Sequence, residues 1–391
     1  MVIPHGVVEK VAAWADGKVA APQRVLVYPT NVCNLRCVFC YQSLEPYPYD
    51  TMDGMSDEKW LAIVEELGSM GMNTLQISGG GEPMLRGELV LKMMARAKCY
   101  GLTGRLVNNG TRWNEEWIRK VIDLKWDNVI FSVDGATAEV HDRMRGKKGL
   151  FALTTSNIRR FTELKRELGR EKPLLEFSHV LTRWNYEQTP ALVELARDLG
   201  VGVITYEPVF VSNPFVHKIK LTRQERVRYM AEIVPRALDV ANSYQIRTNL
   251  DHVMDLRVIE KTGELKEHIL GKESFMVAER AREEHELRAV AGGILDIPCY
   301  ESWLWPKVEA NGDVGPCSTN MLRENIKEKT FSDIWFGPVF TEFRRRILDR
   351  DLPDGCENCV GTHLAWNREI RQELGRYYLN GRKGMAAAPH G

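Results

Sequence analysis

The chain has 391 residues, with 53 Lys and Arg against 53 Asp and Glu, so its formal net charge is zero; eight residues are cysteine. That balance argues against a protein that grips nucleic acid electrostatically, and no run of about 18 apolar residues offers a membrane span. Residues 1–24 lack the apolar stretch of a signal peptide, which points to a reducing cytoplasm, where clustered cysteines bind metal rather than form disulfides.

The length allows one large domain and a smaller one. After an N-terminal extension (1–24), residues 24–30 read as a strand that ends just before Cys33, Cys37 and Cys40, a C-x3-C-x2-C run with Phe39 before its last member. Ser56 reads as a helix N-cap, with Trp60, Ile63, Val64 and Leu67 on one face. A strand over 73–78 runs into Gly79-Gly80-Gly81-Glu82-Pro83. Helices are then predicted over 85–100, 113–124, 157–169 and 190–199, alternating with strands over 103–109, 128–134, 174–181 and 201–207. Six β/α units imply an α/β protein with a mostly parallel sheet. The alternation alone does not separate a doubly wound sheet from a barrel, but in both the ligands gather at the carboxyl ends of the strands, where these motifs fall. From Thr222 to Arg288 the pattern is charged and helical; residues 251–293 read as a connector, 294–380 as a second cysteine module and 381–391 as a disordered tail.

Three thiolates in one loop can hold three corners of a [4Fe–4S] cube and leave the fourth iron open. Zinc prefers four protein ligands in closed pairs, and no Cys or His lies near enough in sequence to complete one. Cys299, Cys317, Cys356 and Cys359 form the second set, the last two as a C-x2-C pair; residues 308–317 read as a hairpin turning at Asn311-Gly312. Spacing alone fits either zinc or a full [4Fe–4S] cluster there. Cys99, inside a predicted helix, reads as a buried free thiol.

The triplet, Phe39 and the glycine-rich segment together resemble the radical S-adenosylmethionine (SAM) superfamily. The resemblance covers roughly residues 20–250 and implies a partial, open (β/α)6 barrel. It implies SAM bound at the open iron and cleaved, by one electron from a flavodoxin or ferredoxin-type reductant, to methionine and a 5'-deoxyadenosyl radical. Gly79, Gly80, Gly81 and Glu82 would meet the SAM amino group, and Asn109 and Ser132 its ribose. The run Ser132-Val133-Asp134-Gly135 followed by His141-Asp142-Arg143-Met144-Arg145-Gly146 is typical of SPASM/twitch members, and implies that Arg143 or Arg145 meets the SAM carboxylate, a task that suits a guanidinium. The C-terminal set resembles the twitch form, with one auxiliary [4Fe–4S] cluster on Cys299, Cys317, Cys356 and Cys359, shielded by Trp303 and Trp305.

A fully ligated auxiliary cluster suits electron transfer. The expectation is therefore oxidation of a small biosynthetic metabolite such as a sugar or cyclitol alcohol, with His179, Tyr206 and Glu207 as candidate bases or contacts near the ends of the fifth and sixth strands, and Arg183 beside them. The alternatives are a peptide or protein maturase, disfavoured because the 32 residues before Cys33 are few for a recognition domain, a redox-neutral epimerase, and a non-catalytic iron–sulfur carrier.

Overall fold

The computed structural model describes residues 6–18, 20–43, 54–211, 214–251, 292–317, 322, 324–353, 356 and 361–386. The chain divides into two compact units, one of residues 25–256 and 308–313, the other of residues 1–24, 257–307 and 314–391. Helix α1 (Val7–Ala15) belongs to the second.

The first unit is built on strands β1 (Arg24–Val27), β2 (Thr74–Ile77), β3 (Thr103–Asn108), β4 (Asn128–Ser132), β5 (Leu174–Leu181), β6 (Val203–Pro208) and β7 (Arg247–Thr248). They lie side by side in sequence order, and from β2 onward each pairs in parallel with the next. A doubly wound sheet needs a reversal of strand order, and there is none. Among the described strands β7 does not return to β1, so the barrel is open. Val129, Ile130 and Phe131 of β4 are all buried, as expected of a parallel strand covered on both faces.

Helices α2 (Asp57–Ser69), α3 (Gly87–Cys99), α4 (Glu115–Asp123), α5 (Ala138–Arg145), α6 (Leu150–Glu167) and α7 (Thr189–Asp198) return the chain between strands, and α8 (Pro214–Ile219), α9 (Arg223–Arg228) and α10 (Val234–Ser243) precede β7. Ser56 Oγ accepts from Lys59 N at 3.2 Å, and Trp60, Ile63, Val64 and Leu67 are buried, as the pattern predicted. Four expectations need correction. Helix α6 starts at Leu150 rather than near residue 157, because Gly149, at φ 84°, makes a left-handed entry that only its neighbours reveal. Helix α5 and the two-residue strand β7 were not foreseen. Cys99 is exposed rather than buried, since it ends α3 on its solvent side.

Residues 308–313 stay with the barrel: Tyr28 N donates to Val308 O at 2.9 Å, and the predicted turn closes through Glu309 N to Asp313 O at 2.8 Å, with Gly312 at φ 93°. It links β8 (Lys307–Val308) to β9 (Asp313–Gly315).

In the second unit Val7 and Val11 of α1 share a core with Tyr300, Trp303, Leu304 and Trp305, against which Cys299 packs. Around it lie α11 (Glu301–Leu304), α12 (Phe331–Trp335), α13 (Pro338–Leu348) and α14 (Gly361–Ala386). The buried Arg344 guanidinium stacks 4.2 Å from the Trp335 ring, and its Nε and Nη1 donate to Ser302 O and Trp335 O, both at 2.9 Å, so backbone carbonyls offset part of the cost of its burial. Helix α14 runs to Ala386. The predicted connector over 252–291 lies outside the described residues.

Candidate active site

Cys33, Cys37, Cys40 and Phe39 line one cavity with Gly79, Gly80, Gly81, Glu82, Asn109, Ser132 and Arg145. The backbone holds the cysteine loop in place. Gly81 N donates to Thr30 O and Glu82 N to Val32 O, both at 2.9 Å, and Val38 N donates to Met144 O at 3.0 Å. Asn34 Oδ1 accepts from Asn109 Nδ2 at 2.9 Å, and Asn34 Nδ2 donates to Thr111 Oγ1 at 2.8 Å. The glycines permit this approach: a Cβ on Gly81 would lie 2.0 Å from Val32 O. The glycine-rich segment thus serves the cysteine loop as well as facing the cavity.

Among the described residues no three His, Cys, Asp or Glu side chains close on a single point as a lone metal ion requires. Cys33, Cys37 and Cys40 line the same cavity, which suits the three protein-held corners of a [4Fe–4S] cube with the fourth iron left open. Burial pushes the Cys37 thiol up to about 11 and raises that of Cys33, with Arg145 opposing the shift at Cys37. Such thiols ionise readily only beside a strong positive partner, which iron supplies. The residues fit a [4Fe–4S] cluster on this loop.

Glu82 is wholly buried; its Oε1 accepts from Met84 N at 2.9 Å and its Oε2 from Asn109 N at 2.7 Å, so it clasps the ends of β2 and β3 together. Burial raises its carboxyl to about 7 despite those bonds. Asn109 Oδ1 accepts from Thr111 N and Oγ1 at 3.0 and 2.7 Å, so its side chain is committed to the turn and to Asn34. Of the two candidate arginines, Arg145 is buried in the cavity wall. Arg143 stacks 3.7 Å from the Trp184 ring and is not part of that wall.

The structure does not bring His179 and Tyr206 to the cavity. Ser132 pairs in register with Ser178 and Ser178 with Thr205, while His179 pairs with Tyr206 one position further on. Alternate strand residues face opposite sides, so both rings point away from the face that carries Ser132. His179 Nδ1 lies 2.9 Å from Val133 O, and its ring packs edge-on to Tyr206 at 5.3 Å; both rings are fully buried. Burial holds His179 below its usual pKa and Tyr206 well above. Glu207 shares the Ser132 face and is exposed. Arg183 pairs with Glu225 at 2.9 Å.

Sequence reasoning missed Asp134 as more than part of a pattern. It is fully buried and pairs with Arg145 Nη2 at 2.7 Å, while Arg145 Nη1 lies 3.6 Å from Cys37 Sγ.

In the second unit Cys299 is half-buried and Asn367 Nδ2 lies 3.7 Å from its sulfur. Trp303 and Trp305 are buried in the core beside it. Cys317 is buried and Cys356 half-buried; Cys359 lies outside the described residues.

Two family models match the chain, the radical SAM superfamily over residues 27–196 and the SPASM iron–sulfur cluster-binding domain over residues 299–360. The chain belongs to the radical SAM superfamily. Radical SAM proteins of this kind hold a [4Fe–4S] cluster with SAM in the barrel and auxiliary iron–sulfur in the SPASM domain, so this chain is a radical SAM enzyme with those cofactors. It is 28% identical over 353 residues to the PqqA peptide cyclase of Gluconobacter oxydans, covering 88% of this chain and 84% of the relative. It is also 28% identical over 164 residues to the sporulation killing factor maturation protein SkfB of Bacillus subtilis, a match of 39% of this chain but only 38% of SkfB. The solved structure of Streptococcus suis SuiB bound to S-adenosylmethionine shares the fold, with a TM-score of 0.59 and 16% identity over 85% of this chain and 70% of SuiB. No helix among the described residues is long and apolar enough to cross a membrane.

Proposed function

We propose that this radical SAM enzyme modifies a peptide. The likeness to PqqA peptide cyclase along most of both chains carries the reading, and favours it over the expected oxidation of a small sugar or cyclitol. In this reading Cys33, Cys37 and Cys40 hold the barrel cluster, and Cys299, Cys317, Cys356 and Cys359 hold one auxiliary cluster. Gly79, Gly80, Gly81, Glu82, Asn109 and Ser132 wall the SAM pocket, Glu82 and Asn109 by fixing its shape. Arg145 rather than Arg143 is the guanidinium that faces SAM. When bound, the cluster and SAM supply one-electron cleavage of SAM and removal of a substrate hydrogen. The chain's own residues orient SAM and exclude water: Phe39 and Arg145 border the cavity, with the Arg145 guanidinium 5.5 Å from the Phe39 ring. A flavodoxin or ferredoxin-type protein is the proposed electron source.

The test uses two substrate pools deuterated at carbon, one of short synthetic peptides and one of sugars and cyclitols, with the anaerobic enzyme, SAM and dithionite. Deuterium in 5'-deoxyadenosine from the peptide pool alone supports the reading. Deuterium from the sugar pool alone overturns it.

A further inference from the structure

The Asp134–Arg145 pair is buried, and both of its ends are fixed. Asp134 Oδ1 accepts from Val180 N at 2.8 Å, its carbonyl accepts from Asn185 Nδ2 at 3.0 Å, and its own N–H points at His141 Nδ1 at 3.3 Å. Arg145 is the last residue of α5, whose Met144 carbonyl takes Val38 N of the cysteine loop. The next residue, Gly146, has φ 75°, and a Cβ there would lie 2.3 Å from Arg36 O. The guanidinium therefore has little freedom: one nitrogen faces the Asp134 carboxylate and the other the Cys37 sulfur.

Such a pair is neutral overall but polarised. Its positive end lies against the sulfur of a cluster ligand and its negative end on the far side. A donor and a positive charge at a ligating sulfur favour the reduced, more negative form of an iron–sulfur cluster, and hydrogen bonding to the sulfurs is one of the levers that set its potential. In a buried setting that interaction is poorly screened. We infer that Arg145 raises the reduction potential of the barrel cluster through Cys37, and that Asp134 is the positioning residue that holds the guanidinium there and partly offsets its charge. This goes beyond SAM binding and is independent of the peptide reading, since it concerns the cluster before SAM or substrate arrives.

The experiment is an EPR-monitored redox titration of the reconstituted full chain without SAM, following the cluster whose signal later responds to added SAM. Arg145→Gln should lower the midpoint so that the ratio of reduced to oxidised cluster at fixed potential falls about tenfold, which for one electron is about 59 mV. Asp134→Asn keeps an acceptor for the guanidinium and removes the offsetting charge, so the midpoint should move the other way by a smaller amount. Arg145→Lys should lie between Arg145→Gln and the parent. Opposite signs for the Gln and Asn variants support the inference. Unchanged SAM-free midpoints with weakened SAM affinity would make Arg145 a SAM ligand only, and shifts of the same sign would mean general disruption; either overturns it. If Arg145→Gln fails to hold its cluster, Asp134→Asn and Arg145→Lys carry the test, the first by rising and the second by falling.

Discussion

Cys37 has a guanidinium nitrogen 3.6 Å from its sulfur, whereas Cys299 has the neutral amide nitrogen of Asn367 at 3.7 Å. The loop around Cys37 is bound by backbone from the segments after β1 and β2 and from the end of α5. The segment around Cys299 is held by side chains of one helix, α14: Asn367 Oδ1 accepts from Tyr300 N at 2.6 Å, and Arg371 Nη2 donates to Ile297 O at 2.8 Å. The first arrangement places a charge at a site that must bind a reactant. The second meets its sulfur with a neutral amide and fixes the flanking backbone with Asn367, the Arg371 guanidinium and aromatic packing, which suits a cluster closed to ligands.

The strongest way to break this comparison is to remove one cysteine from each set. Cys37→Ala should abolish 5'-deoxyadenosine formation, while Cys317→Ala should leave SAM cleavage intact and reduce the iron from about eight to about four per chain. Chromatography of the SAM products and iron analysis read both, and SAM cleavage that persists in the first variant would undo the assignment.

Next comes the buried charge. Arg145→Gln alone leaves Asp134 buried without its cation and should cost about 3–5 kcal/mol. Adding Asp134→Asn should recover a large part of that. Denaturant unfolding of the three variants measures it, and a double variant no more stable than the single one would contradict a direct pair.

A smaller effect sharpens the neutral side. Asn367→Ala orphans the buried Tyr300 N–H and should cost about 1–3 kcal/mol, with SAM cleavage unaffected. Loss of SAM cleavage would mean the two sites are not separable in this way.

The smallest effect is one of pH. Burial holds the His141 imidazole down at about 4, while Nδ1 accepts from Asp134 N. The folded state thus favours neutral His141, and the stability it contributes is present above about 6.5 and lost as pH falls toward 4. At pH 5.5 this amounts to about 1 kcal/mol. His141→Gln keeps an acceptor and should flatten the slope of unfolding free energy between pH 7 and 5; an unchanged slope would place its cause elsewhere.

The cysteine triplet and the glycine-rich turn were legible because their chemistry is local in sequence. Strand β5 was legible for a similar reason, as an apolar run of the right length between clear breaks. Arg143 and Arg145 could not be ranked, because positions two apart on a helix point to opposite sides and only the packing says which side is buried. His179 and Tyr206 face away from Ser132 while Glu207 shares its face, a difference the sequence could not show because a strand's facing depends on a register that one residue reverses. Asp134 was hidden because its partner sits on the following helix and their shared target, Cys37, lies far back in the chain. Glu82 was read as part of the segment that meets SAM; that its two oxygens also bind backbone N–H groups is visible only once the chain has folded.

Gly146 has a consequence for how this chain can vary. Its left-handed backbone disfavours any side chain, and even a methyl group would strike the Arg36 carbonyl. Here the barrel helix and the cysteine loop are separated by little more than a hydrogen atom. A change to alanine at this next position along the chain would therefore pry Arg145 away from Cys37 while leaving both side chains unaltered. The tolerance of the site to drift is set as much by what this position lacks as by the residues that do the chemistry.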